Sequence, residues 1–215
     1  MRGFESGRIL IDGRECGTGY QTGIASVLKG LVCAISATES IPGIISFAFH
    51  SAASLPDWIR AAPNVIAEPL PISFLKSERR LSHLSASKNT ILYISPYPKF
   101  PLFGVNCRSV HIVHDVLDLS YPPYKQRLKV PFDKWRMRMA LKRADLTWYV
   151  SRWSFGETQR LLGFAGRNPR IRYPGLDEQL FPQEDQKTQR VLKKYRISTG
   201  YMLVVGNGMP HKNLE

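Results

Sequence analysis

The chain has 215 residues, 43% of them hydrophobic and 22% charged, with a formal net charge of +13. That composition supports a buried core and excludes a disordered polymer, and no run approaches the roughly 18–20 consecutive apolar residues of a spanning helix. The positive charge implies an anionic partner, whether nucleic acid, anionic lipid or a phosphorylated substrate, and does not choose among them.

Residues 1–8 hold charge and glycine but no apolar signal core, so a cytoplasmic location is expected. Residues 8–12 (RILID) read as a first strand, followed by the turn Gly17-Thr18-Gly19 and a helix over 21–35. In that helix apolar residues recur at Ile24, Val27, Leu28, Leu31 and Ile35. A second strand spans 44–49. Residues 51–88 are interrupted by Pro56, Pro63, Pro69 and Pro71 and allow only short elements. Strands follow at 90–95 (TILYIS) and 109–114 (SVHIVH). A basic helix is expected over 131–144, with Pro131 in its first turn.

Residues 146–151 (LTWYVS) read as a strand and 154–162 as a helix opened by an S-x-x-E box from Ser154 to Glu157. A short strand at 171–173, a helix at 188–195 and a last strand at 201–206 complete the pattern. Alternating strands and helices predict an α/β fold, a Rossmann-like parallel sheet flanked by helices. The expected organisation is a domain over 1–175, a linker and connecting helix over 176–200, and the start of a truncated second domain over 201–215.

The cysteines, Cys16, Cys33 and Cys107, are odd in number and widely spaced, which fits neither a disulfide framework nor a C-x-x-C metal pair. No metal motif and no cofactor are expected. The glycine turn lies where a doubly wound sheet presents backbone N–H groups to an anion. Its spacing matches neither the dinucleotide fingerprint nor a P-loop, and a purely structural turn stays open. In HIVHD, His111 and His114 are three apart, so on a strand their rings point to opposite sides and cannot share a metal. His114, at the strand's carboxyl end beside Asp115, is the functional candidate and His111 the structural one.

Between Lys125 and Arg143 eight basic residues face one acid, Asp133, with Phe132 and Trp135 among them. Lys129, Lys134, Trp135 and Arg138 are candidates for an anionic membrane surface. An ordinary solvated face with Met137, Ala140 and Leu141 turned inward is the alternative. No nucleic-acid-binding motif is visible.

Five segments in order resemble the family-4 retaining glycosyltransferases of the GT-B fold: ILIDGRECGTGYQTGIASVL, HIVHDVLDLSYPPY, ALKRADLTWYVSRWSFGE, IRYPGLDEQLF and YMLVVGNGMPHKNLE. The resemblance implies transfer of a sugar from a nucleotide-sugar to a saccharide or lipid-linked acceptor in cell-envelope polysaccharide or lipopolysaccharide synthesis. It implies that the backbone at Gly17 and Gly19 approaches the donor diphosphate, that His114 contacts the donor sugar, and that Lys212 neutralises the leaving diphosphate. Asp115 and Ser151 take acceptor or supporting places. Asn207, also on the donor side, stands where many members carry an arginine. The paired-glutamate segment of the family falls beyond residue 215, so this chain alone is expected to be inactive. A non-catalytic acceptor-binding domain or partner subunit is the alternative.

Overall fold

The computed structural model describes residues 7–16, 22–38, 41, 43–50, 55–121, 129–175, 185–198, 200–206 and 209–213. These fall into two units, Met1–Pro174 and Gly175–Glu215.

The first unit is built on seven strands: β1 (Gly7–Asp12), β2 (Gly43–Phe49), β3 (Val65–Pro69), β4 (Thr90–Ser95), β5 (Arg108–Val113), β6 (Leu146–Tyr149) and β7 (Pro169–Ile171). All pair in parallel, in the order β3-β2-β1-β4-β5-β6-β7. The α/β, Rossmann-like expectation is therefore met. The strand order reverses between β1 and β4, and parallel sheets open a crevice at the carboxyl ends of such strands.

Successive strand residues point to opposite faces, and here the two faces differ in kind. One carries Ile9, Ile11, Ile45, Phe47, Ile94 and Ile112 against α1 (Gly23–Ala37) and α2 (Asp57–Arg60), an apolar layer. Thr22 caps α1, its hydroxyl accepting from the Ala25 amide at 3.2 Å. The other face lies under α3 (Phe74–Ser85) and, further along, α5 (Lys129–Arg143), which follows the short α4 (Leu117–Ser120). On that side Leu10, Tyr93 and Val113 alternate with the buried polar residues Asp12, Ser46, Ser95, His111 and Thr147.

Three elements occupy the stretch in which only short pieces were expected: α2, β3 and α3, the last of them 12 residues long. Helix α5 turns Met137, Ala140 and Leu141 inward, as the solvated-face alternative has them. Helix α6 (Arg152–Leu162) starts one turn earlier than the S-x-x-E pattern implies. Its N-cap is Ser151, whose hydroxyl accepts from the Ser154 amide at 3.0 Å while Ser154 returns the bond to the Ser151 backbone. Gly163 ends the helix at φ 69°, a left-handed conformation that glycine adopts without a Cβ clash.

In the second unit α7 (Asp185–Tyr195) extends the expected helix by three residues. Residues 201–206 form no strand, contrary to expectation, and Met202, Leu203, Val204 and Val205 stay exposed. A β-rich run becomes a strand only when a neighbour takes its backbone hydrogen bonds, and no described residue does so. Among the described residues no helix is long and apolar enough to cross a membrane.

Candidate functional site

The carboxyl ends of β1, β4 and β5 meet at the reversal point. Strand β1 ends on Asp12, fully packed against Arg14 from the single 3-10 turn that follows (Arg14–Cys16). Arg14 grips the Asp12 carboxylate with two nitrogens, Nε at 2.9 Å and Nη2 at 2.7 Å, and Tyr93 Oη donates to the same group at 3.1 Å. Burial by itself would raise the Asp12 pKa, but the charge and hydrogen bonds of Arg14 outweigh it and hold the carboxyl below its ordinary range.

The third nitrogen of Arg14 crosses to Glu78 on α3, Nη1 to Oε1 at 2.8 Å. Glu78 is completely buried, and it also accepts from Arg136 of α5 at 2.7 Å and from the Leu102 amide at 2.8 Å. Two carboxylates and two guanidiniums thus balance in charge, which is the condition on which buried ions are tolerated. They tie β1, α3 and α5 together beneath the crevice. Sequence reasoning missed Asp12, Arg14 and Glu78, and it counted Arg136 as one more surface cation, which its burial corrects.

Above this layer the turn after β4 is fixed by Ser95, whose hydroxyl donates to the Tyr97 carbonyl at 2.6 Å. The turn faces the end of β5, where Asp115 Oδ1 accepts from the Leu117 amide at 3.1 Å and so starts α4. Between them lies a pocket of about 180 Å³ lined by Tyr97, Pro98, His114, Asp115, Leu117, Asp118 and Ile24. A smaller hollow adjoins it and shares Tyr97, Pro98, Asp115 and Asp118; its far wall is Asp133, Arg136 and Met137 of α5.

His114 reaches this pocket half-buried, and its Nε2 has no hydrogen-bond partner among the described residues. Burial pushes its pKa below the ordinary histidine value, with the Asp115 charge offsetting part of the effect, so the ring is neutral near pH 7. A buried polar atom without a partner, on a residue that lines a pocket, is a place for a ligand's hydrogen bond. His111, two strand positions into the core, is fully buried and stacked flat on Phe100, with centroids 5.4 Å apart. Neither of its nitrogens meets a partner in hydrogen-bonding geometry, and burial pushes its pKa down to about 4.

The remaining candidates scatter. Gly17, Gly19 and Asn207 lie outside the described residues, as do Lys125 and Arg127 of the basic run. Lys212, in the second unit, is exposed at the end of the 3-10 turn Pro210–Lys212. Ser151 has its hydroxyl engaged in capping α6, a supporting role. Lys129 is exposed and 3.8 Å from Asp133, Lys134 is half-buried, and Trp135 is exposed. Arg138 donates twice to the Leu162 carbonyl, at 3.0 and 2.7 Å, and so closes the end of α6. Among the described residues no group of three or more His, Cys, Asp or Glu side chains is placed to hold a metal ion. Compared with protein-family models and with curated proteins, the sequence matches none.

Proposed function

We propose that the chain supplies the acceptor side of a retaining glycosyltransferase of family 4, which moves a sugar from a nucleotide-sugar to a saccharide or lipid-linked acceptor. The open Nε2 of neutral His114, in a pocket at the strand-order reversal, is the observation that carries this. The five segments that resemble those of that family, in the same order, support it.

A neutral imidazole suits hydroxyl-bearing ligands, since it gives one hydrogen bond and accepts another without imposing a charge. The same ring would lie beside the reacting sugar and steady positive charge as an oxocarbenium-like centre develops. Tyr97 offers a ring face, and Asp115 and Asp118 accept from sugar hydroxyls.

The test is nuclear magnetic resonance of the histidine rings in the 215-residue protein. Envelope oligosaccharides and uridine, guanosine and adenosine diphosphate sugars are titrated in turn. A saccharide is expected to shift the His114 signals and to bind at least about tenfold more weakly to His114→Ala, roughly 1.4 kcal/mol. No response across the panel, or unchanged affinity in a folded His114→Ala protein, would overturn the proposal.

A further inference from the structure

The outward face of α5 is unlike a solvated helix surface. Along it run Phe132 and Trp135, 46% and 52% exposed, followed by half-buried Met139. Exposed Lys142 is set among them, while Arg138 turns its guanidinium to the Leu162 carbonyl and Arg143 rests over the Phe100 ring, 5.7 Å from its centroid. The one acid of the helix, Asp133, does not interrupt this face, because it lines the hollow on the inner side. Aromatic rings and cations on one side, with no negative charge between them, match the boundary of an anionic bilayer, where indole settles at headgroup depth and cations meet phosphates. The Phe132 and Trp135 rings pack on each other, with centroids 5.8 Å apart at 32°. That leaves no slot in which a nucleobase could stack between them, which disfavours a single-stranded nucleic acid as occupant. The +13 charge of the chain is complementary to such an anionic surface.

We propose that this face of α5 docks on the surface of an anionic lipid bilayer, with Phe132 and Trp135 entering the headgroup layer. The same helix supplies Asp133, Arg136 and Met137 to the hollow beside His114. Docking therefore sets that hollow about one helix diameter, roughly 10–12 Å, from the lipid surface. An acceptor that stays anchored by its lipid can then reach the pocket with its head group. This second step rests on the glycosyl-transfer proposal, and the docking itself does not.

Flotation of the 215-residue protein with vesicles is the experiment. One set is pure phosphatidylcholine, the other one-third phosphatidylglycerol, and both are also made with brominated acyl chains that quench nearby indole. Binding is expected only to the anionic set, weakening about fivefold in Lys142→Glu and falling away as salt rises past physiological strength. Quenching should vanish in Trp135→Phe, which leaves folding untouched at so exposed a site. Equal binding to both sets, quenching that survives Trp135→Phe, or no loss in Lys142→Glu would each overturn the docking. So would tighter, Lys142-dependent binding to duplex DNA. Saccharide binding without flotation sinks the docking alone, and flotation without saccharide binding sinks the glycosyl-transfer proposal alone.

Discussion

Acidifying the protein from pH 7 to pH 5 should weaken it, chiefly through the fully buried His111. Its ring is sealed between Phe100 and the sheet, and the nearby Tyr97 backbone offsets only part of the burial, so protonating it in the folded state means burying a charge. Burial takes its pKa from 6.5 to about 4. Between those two values the unfolded chain holds a proton that the folded chain refuses. Stability therefore falls as the pH drops through this window and levels off below it. From pH 7 to pH 5 the loss works out at about 2 kcal/mol. For a chain of this size that is a fall of about 4–8 °C in Tm.

The assay is urea unfolding at both pH values for wild type and His111→Phe, which keeps a ring on Phe100 and removes the titration. Extra bulk costs the variant stability at both pH values alike, and His111→Leu serves if phenylalanine overfills the site. The variant should lose about 2 kcal/mol less than wild type on acidification. Equal losses would show that His111 is not the titrating group.

Glu78→Gln leaves Arg14 and Arg136 converging on a neutral amide and should cost about 3–5 kcal/mol in denaturant unfolding. Adding Arg136→Met should return part of it, and a double variant weaker than the sum of the singles would refute the charge-balance account. Ser151→Ala removes the cap of α6 and should cost about 1 kcal/mol by the same assay, with histidine signals in the pocket unmoved. A loss of saccharide binding in that variant would instead place Ser151 in the site.

Most of the sheet was legible because its strands are short β-rich runs ended by turn residues. Residues 90–95 were read with their observed bounds, and His114 was placed at the end of β5 by counting alone. Helix α3 was missed for a physical reason. Its buried side is Ser77, Glu78, Leu81, Ser82, Leu84 and Ser85, so the apolar period that announces a helix is mostly absent. Glu78 went with it, since a carboxylate on a supposed loop gives no sign that two arginines close over it. Residues 201–206 failed in the opposite way: the composition of a strand was present, and no described partner for its backbone was.

Two cations leaning on Glu78, one of them also clasping Asp12, make these four positions a single inheritable unit. Any one-residue exit strands a charge in the core at several kcal/mol, a large share of a typical domain's whole stability. Apolar side chains of matching volume at all four would hold as well or better, but no sequence of single viable steps leads there. The quartet is thus a ratchet: once formed, drift around it is free and drift within it is blocked. Arg136 also walls the hollow beside His114, so the same lock holds that wall in place.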